Sequence, residues 1–315
     1  MTSSPPALPR NPTLSATALP SIRRALRGAG LRLDFGAAAL RLRSDSAAMA
    51  VQLQAVYGNF DFDVSADWAD LHVEVMRQRG LRRWFAPQVV FRCDGREPFV
   101  PFPADSPLPL TEWGVNWLIG QRLNDLLLLH AGAVERDGLA LLLPAVPGSG
   151  KSTLTAALSL RGWRLLSDEF GAYDPAQGAF RALLKPVALK NQSIEVIRRF
   201  APEARLNRVT HDTVKGSVTH LRVPLEHLAR VAEPARPRWI VTPRYSAGAP
   251  TAMTPRSRAE AMVDLARNSF NFAIQGQAGF ERLGEMVQAC ECRDFVYHDL
   301  PSAIAAFDGL SQGRA

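Results

Sequence analysis

The pattern of hydrophobic and polar positions divides the chain into a β-rich stretch and a longer stretch that mixes helix and strand. Between residues 21 and 110, short apolar runs such as 31–35, 40–42 and 88–91 alternate with turn residues, a pattern typical of strands. Residues 1–20 are rich in Pro, Ser, Thr and Ala and lack an apolar run, which predicts a disordered tail. The predicted organisation is therefore a tail over 1–20, a β-rich region over 21–110 and an α/β domain with a mixed sheet over 111–315.

The mixed stretch contains one ordered series of elements that points toward chemistry. Before the series, the periodicity predicts a helix over 111–123 and a buried strand over 126–129. Asp137-Gly138 is a strong hairpin signal between apolar segments. The series itself runs strand, glycine-rich loop, helix, strand and acidic pair, with the following predicted bounds: 139–143 for the first strand, 151–161 for the helix and 163–166 for the second strand.

Beyond the acidic pair, the same criteria predict further alternating elements. The predicted strands cover 170–173, 179–184, 218–223 and 239–242. The predicted helices cover 192–200, 279–289 and 301–310. The capping box Ser257-x-x-Glu260 predicts one more helix, which ends near residue 267.

Composition and charge narrow the function classes. The 315 residues are 47% hydrophobic and 21% charged, as in ordinary soluble globular proteins, and no run of about 18 apolar residues predicts a membrane span. The net charge is +7, but no motif that combines aromatic and basic residues, as in nucleic-acid-binding modules, accompanies it. No nucleic-acid partner is therefore expected. Three cysteines fit a reduced, cytoplasmic setting, and Cys290-x-Cys292 beside His298 lacks the two spaced pairs of a zinc site.

The glycine-rich loop has the residues that a triphosphate requires. It comprises Pro147, Gly148, Ser149, Gly150, Lys151, Ser152 and Thr153. Glycines let backbone N–H groups approach phosphate oxygens, and the following helix directs its positive end at them. In such a Walker A loop, lysine contacts the β and γ phosphates and the next hydroxyl is a ligand of Mg²⁺. The sequence thus predicts an ATP site, although Ala145 replaces the usual first glycine.

Two carboxylates and a histidine are candidates for the catalytic residues. Asp168 and Glu169 follow a predicted buried strand, where paired carboxylates are costly unless a cation compensates them. One can bind Mg²⁺ while the other accepts the proton of an attacking hydroxyl. His130, after the apolar run 126–129, either lies near the phosphates, orients a carboxylate or caps a strand.

The order of these motifs resembles that in the kinase domain of HPr kinase/phosphorylase. The order is His130-x-Gly132, a hairpin, the P-loop, a short helix and Ser167-Asp168-Glu169. That family has a His-Gly pair one hairpin before the loop and an Ala-Asp-Asp triplet after the following strand. Its short distance between loop and acidic pair is shared with phosphoenolpyruvate carboxykinase. The segments 184–191, 212–221 and 268–271 extend the resemblance to the HprK-related kinase A subgroup over nearly the whole chain.

The resemblance implies a cytoplasmic, Mg²⁺-dependent serine kinase. Lys151 and Ser152 would bind phosphate and metal, Asp168 and Glu169 would divide the base and metal roles, and His130 would assist them. The acceptor is expected to be a peptide or small protein, in association with a PqqD-like protein, and a homo-oligomer is compatible with this expectation. Second cations near the transferred phosphoryl group would stabilise its charge, and Lys215 and Lys190 lead the candidates for substrate contacts, with Lys185, Asn191 and His220 as others.

Two departures from the family pattern limit these expectations. No arginine-glycine-asparagine loop is evident, so reversal of the reaction by phosphate is not expected. Glu169 stands where the family has aspartate, and displacing a catalytic group by about 1 Å can cost roughly 100-fold in rate. Two alternatives stay open: a nucleotide-binding regulatory or scaffold protein without phosphotransfer, and a small-molecule kinase of the carboxykinase-like superfamily.

Overall fold

The structure is a computed structural model that describes residues 12–65, 68–146 and 148–313, with only the backbone of Arg82. The chain forms two compact units. Unit 1 comprises residues 12–119 and 205–231 of the described chain, and unit 2 comprises 120–204 and 232–313. The segment 205–231, which the sequence placed in the P-loop domain, thus groups with the N-terminal region. Within the described part of the chain, every helix is too short or too polar to cross a lipid bilayer.

Helices and strands alternate along most of the chain. The helices are α1 (Leu19–Arg27), α2 (Ala47–Val56), α3 (Pro107–Arg122), α4 (Lys151–Ser159), α5 (Gln192–Phe200), α6 (Leu225–Ala229), α7 (Arg258–Arg267), α8 (Phe272–Gln288) and α9 (Leu300–Ser311). The first strands are β1 (Leu31–Asp34), β2 (Ala39–Ser44), β3 (Leu71–Arg77), β4 (Gln88–Arg92), β5 (Phe102–Pro103), β6 (Leu127–Arg136), β7 (Leu139–Pro144) and β8 (Arg164–Ser167). The later strands are β9 (Phe170–Asp174), β10 (Ala179–Arg181), β11 (Val187–Lys190), β12 (Thr210–Thr213), β13 (Gly216–Leu221), β14 (Arg236–Tyr245), β15 (Ala252–Pro255) and β16 (Glu291–Tyr297).

Unit 1 contains a five-stranded sheet in the order β1-β2-β3-β4-β5. Parallel pairing of β2 with β3 makes this sheet mixed, because the other pairs are antiparallel. The predicted strands are therefore present, with α1 before the first of them and α2 between β2 and β3. The predicted disordered tail is wrong for residues 12–20, because Leu14 is fully buried and α1 begins at Leu19; residues 1–11 lie outside the described chain.

Unit 2 is built on an eight-stranded mixed sheet. Its order is β10-β9-β6-β7-β14-β16-β15, and β8 also pairs with β6. Strands β7, β14 and β16 are parallel neighbours, whereas β6 is antiparallel to β7, β8 and β9. It follows that β7, β8, β9, β14 and β16 all run in one direction. The protein is thus an α/β protein with mixed sheets.

Local sequence explains why the centre of this sheet forms. Strand β7 is apolar throughout and buried from Ala140 to Pro144, as expected for a strand covered on both faces. Asp137 and Gly138 both have positive φ values, 54° and 78°, which is the geometry of the tight hairpin turn that their sequence predicts. At Gly132 of β6, an added Cβ would lie 2.3 Å from Thr155 Oγ1 of α4. Glycine therefore lets α4 pack closely over the strands that carry the glycine-rich loop.

Candidate functional site

The predicted site residues of unit 2 come together where β7 ends. The glycine-rich loop connects the end of β7 to the start of α4. Strands β8 and β9 pair with β6 one after the other, and Asp168-Glu169 form the break between them. Because Ser167 lies opposite Ala133 and Phe170 lies opposite His130, the acidic pair is level with the end of β7, whose Pro144 lies opposite Ala131.

The loop has the backbone conformation that its glycines allow. Gly148 and Gly150 have φ values of +87° and +91°, which other L-residues rarely adopt. A Cβ at Gly150 would also lie 2.3 Å from the hydroxyl of Tyr297, and that hydroxyl donates to Gly150 O at 3.2 Å. The backbone N–H of Tyr245 donates to Ser149 O at 3.0 Å. Residues at the ends of β14 and β16 therefore support the loop; Pro147 lies outside the described residues.

The first turn of α4 faces the acidic pair. Lys151 Nζ donates to the backbone oxygen of Asp168 at 2.6 Å, and the Ser152 side chain hydrogen-bonds the Asp168 carboxylate. Thr153 is the next residue of the same turn. The hydroxyl and the carboxylate that the sequence assigned to metal binding are thus adjacent.

Asp168 is a buried carboxylate with incomplete compensation. Only 8% of the residue is exposed, and its Oδ1 atom is buried with no hydrogen-bond partner among the described residues. Burial raises the pKa of the Asp168 carboxyl, and neighbouring Glu169 adds to the rise, while the Lys151 charge and the Ser152 hydrogen bond oppose it. A carboxylate in this situation gains a partner if a cation binds.

Glu169 has different surroundings from its neighbour. Burial alone would raise the pKa of its carboxyl, but the hydrogen bond from His130 and the charge of Lys151 outweigh burial and lower the pKa to about 2. His130 Nε2 lies 3.4 Å from Glu169 Oε1, and each side chain is about one third exposed. Glu169 is therefore an accessible, ionised carboxylate near neutral pH, and His130 lies beside it as the sequence predicted.

Residues 268–271 position His130 from the other side. The His130 N–H donates to Asn268 O at 2.8 Å, and the imidazole packs on Phe270 with ring centroids 5.4 Å apart. Asn271 accepts from Leu128 N at 2.9 Å and donates to Leu126 O at 2.7 Å. This segment therefore fixes the start of strand β6, and with it the histidine. The sequence had singled out the segment by resemblance alone, with no role for Phe270.

The two predicted substrate lysines lie in different units. Lys190, at the end of β11, places its positive charge near both carboxylates, where it slightly opposes the rise in the pKa of Asp168 and adds slightly to the lowering of the pKa of Glu169. Lys215 belongs to unit 1, where its ammonium lies 5.5 Å from the centre of the Trp113 ring. Only Lys190 is thus placed with the acidic pair inside unit 2, and substrate contact stays a prediction for both.

The donor set fits Mg²⁺ bound together with phosphates. In the described residues, no three His, Cys, Asp or Glu side chains form a metal-binding group. Mg²⁺ does not need such a group, because it commonly binds one or two carboxylates together with phosphate oxygens and waters. Ser152 and Asp168 would supply the protein oxygens, and the Oδ1 atom of Asp168, which has no hydrogen-bond partner in the described part of the chain, would gain most from a bound cation. Cys290 and Cys292 are buried free thiols.

Sequence reasoning missed the two tyrosines that contact the loop. Tyr297 is buried at the end of β16, which was not predicted, and Tyr245 lies three residues beyond the predicted end of its strand. Their aromatic rings lie 5.7 Å apart at 72°. No signal in the sequence linked these tyrosines to the loop, because neither strand end was predicted. No family model matches the chain, and no curated protein matches it.

Proposed function

We propose that the chain is an ATP-dependent kinase with the HPr-kinase-like P-loop fold, which transfers the γ-phosphoryl group to a hydroxyl of a peptide or small protein, most simply a serine. The observation that carries the proposal is the convergence of five side chains at the end of one strand: Lys151, Ser152, Asp168, Glu169 and His130. Lysine and a helix N-terminus are suited to phosphate, the serine–aspartate pair to Mg²⁺, and an ionised carboxylate to a hydroxyl proton.

The surroundings of the carboxylates suggest how the roles divide. Asp168 is the residue that would bind Mg²⁺, because its carboxylate contacts the Ser152 hydroxyl and has an oxygen without a hydrogen-bond partner within the described chain. Glu169 is the residue that contacts the acceptor hydroxyl, because its carboxylate is accessible and ionised. It orients the acceptor hydroxyl and takes its proton while the acceptor oxygen bonds to the γ-phosphorus and the bond to the β-phosphate oxygen breaks. His130 acts through Glu169 as a positioning residue. Bound Mg²⁺ neutralises phosphate charge.

Phosphoryl transfer depends mainly on positioning and charge stabilisation. A low pKa at Glu169 is compatible with that chemistry, since a loose transition state requires little proton removal before the phosphoryl group moves. Lys151 and Lys190 supply positive charge next to the acidic pair. These two cations suit the developing charge on the transferred group.

The test is transfer of label from γ-labelled ATP with Mg²⁺ to candidate peptides and small proteins, including a PqqD-like protein. Lys151→Ala should abolish ATP binding, and Asp168→Ala should abolish transfer while ATP still binds. Two surface variants on the same unit serve as matched controls, Arg199→Ala for the lost cation and Glu281→Ala for the lost carboxylate. Unchanged turnover in both site variants would refute the assignment.

The same assay separates the alternatives. A wild-type protein that binds ATP and transfers to none of the acceptors would favour the regulatory or scaffold function. Transfer to a small hydroxylated molecule but to no peptide or protein would favour a small-molecule kinase. The presence of Glu169 favours transfer over the scaffold function, because binding of nucleotide and Mg²⁺ alone needs no second, accessible carboxylate beside Asp168.

A further inference from the structure

The order of strands in unit 2 fixes two sides of the glycine-rich loop. The loop follows β7, whose neighbours are β6 on one side and β14 on the other. The acidic pair lies on the far edge of β6, beside His130. Strands β14 and β16 lie on the opposite side, and they run parallel to β7. Ligands of parallel α/β sheets bind beyond the carboxyl ends of the strands, which here include Tyr245 and Tyr297.

The order of the strands predicts which way a nucleotide bound to the loop is oriented. If the transferred phosphoryl group lies at Asp168 and Glu169, the rest of a triphosphate on the loop extends away from them. The nucleoside end then lies toward the ends of β14 and β16. The direction depends on the proposed function, because it assumes that the acidic pair marks the γ-phosphate.

Tyr245 is the accessible aromatic residue on that side. The residue is 52% exposed, although its backbone N–H is bound to Ser149 O at 3.0 Å. Its Cβ lies 3.3 Å from the position that a Gly150 Cβ would occupy. The ring packs at 72° against that of Tyr297, which is buried and hydrogen-bonded to Gly150 O. An exposed ring thus adjoins the phosphate loop on a rigid support.

We propose that Tyr245 is the stacking platform for the base of the bound nucleotide. A half-exposed aromatic ring loses little solvation when a base covers it, and stacking on aromatic rings is tolerant of base identity. The ring and the loop are joined through the backbone of Tyr245, so the phosphates and the base are held by one continuous piece of structure. Tyr297 positions the platform and the loop together.

The alternative role for Tyr245 is support of the loop itself. The two roles separate because the hydrogen bond to Ser149 uses the backbone N–H, which substitution of the side chain preserves. Losing the ring therefore affects ligands with a base and spares ligands that consist of phosphate alone.

The experiment measures dissociation constants by calorimetry for Mg·ATP and for magnesium tripolyphosphate, which lacks a nucleoside. Tyr245→Ala should weaken ATP binding about 5- to 150-fold, the range expected for loss of one stacked base, and leave tripolyphosphate binding within about twofold. Tyr245→Phe should retain both affinities. Phe280→Ala, which removes an exposed aromatic residue of α8, is the matched control and should change neither.

Each other outcome has a defined meaning. Equal losses for both ligands would show that the ring supports the loop, and unchanged ATP affinity would show that the base lies elsewhere; either result overturns the platform. Wild-type protein that binds tripolyphosphate as tightly as ATP would overturn it too, while leaving the phosphate site intact. Wild-type protein that binds neither ligand would instead remove the proposed function, and the platform with it.

Discussion

The two sides of β7 differ in charge, burial and support. On the side of β6, the loop faces an acidic pair whose charge is only partly compensated by Lys151, Lys190 and His130. On the side of β14, it faces two uncharged tyrosines. Buried charges are costly and persist where chemistry needs them, whereas aromatic rings offer area for binding. In the proposed function, the charged half of the site serves phosphoryl transfer and the aromatic half holds the nucleotide.

The acidic side is itself asymmetric. Asp168 and Glu169 are neighbours in sequence, yet the pKa of one is raised and that of the other is lowered to about 2. The difference follows from the break between β8 and β9. Ser167 Oγ accepts from the N–H groups of Glu169 and Phe170 at 3.3 and 3.1 Å, and this turn presents one carboxylate to α4 and the other to His130. The two adjacent carboxylates of Asp168 and Glu169 can therefore take the two different roles proposed for them.

The largest effect is expected at Gly150, where the aromatic side touches the loop. Gly150→Ala would have to adopt a φ of +91° and would meet the Tyr297 hydroxyl at 2.3 Å. Backbone strain and overpacking together should weaken Mg·ATP binding by about 300-fold or more, as measured by calorimetry.

Two variants show whether the tyrosine contact is the cause. Adding Tyr297→Phe removes the clashing oxygen, so the double variant should recover part of the lost affinity. Gly178→Ala has a comparable positive φ of +61° but open space around it, and it should leave ATP binding unchanged. If the double variant binds no better than Gly150→Ala, the contact with β16 is irrelevant to the loop.

A smaller effect, on rate rather than on binding, is expected from His130. His130→Ala frees the Glu169 carboxylate and should lower the rate of transfer about 100-fold, the cost of misplacing a reacting group by about 1 Å. Its effect on ATP affinity should be within threefold, because no hydrogen bond or ring contact joins His130 to the described residues of the loop. Single-turnover transfer measures the first quantity and calorimetry the second.

The conservative variant distinguishes positioning from proton transfer. The Gln side chain in His130→Gln can place an N–H donor near the position of Nε2, so it should restore the rate to within about tenfold of wild type with the same pH profile. If His130→Gln is as slow as His130→Ala, the imidazole itself exchanges a proton, and the division of roles proposed for Glu169 is wrong.

Much of unit 2 could be predicted because its elements carry local signals. The apolar run of β7, the Asp137-Gly138 turn and the capping box at Ser257 all lie where the sequence placed them. Strand β16 was missed because Glu291, Arg293 and Asp294 interrupt its apolar positions, and β14 was predicted too short. Both strands are specified by pairing across the sheet, which no local pattern encodes.

The candidate site was predictable on one side only. Lys151, Ser152 and the acidic pair belong to a motif with fixed spacing along the chain, and His130 lies one hairpin before it. Tyr245 and Tyr297 are about 100 and 150 residues away from the loop in sequence, and they reach it because parallel strands end at the same edge. A contact made by sheet order leaves no spacing to recognise.

The smallest effect expected is one of stability, at Asp168. Since burial raises the pKa of this carboxyl above its ordinary 3.8, the folded protein binds that proton more tightly than the unfolded chain does. The stability that results is full below pH 3.8 and is lost as the pH rises through the pKa of the folded state. Asp168→Asn removes the buried charge, so the ligand-free variant should be about 1 kcal/mol more stable at pH 7.

That gain corresponds to a rise in Tm of about 2 to 4 °C, measurable by differential scanning calorimetry, and it should shrink as the pH approaches 4 because the wild-type carboxyl then takes up its proton. Glu281→Gln, at an exposed carboxylate of α8, should leave Tm unchanged. With saturating Mg·ATP, the wild type should have the higher Tm of the two, since only the wild type has the carboxylate proposed to bind Mg²⁺. If ligand-free Asp168→Asn has a Tm at or below that of wild type, the charge of Asp168 is already compensated in the folded protein. The side of β6 would then lack the costly buried charge that distinguishes it from the side of β14.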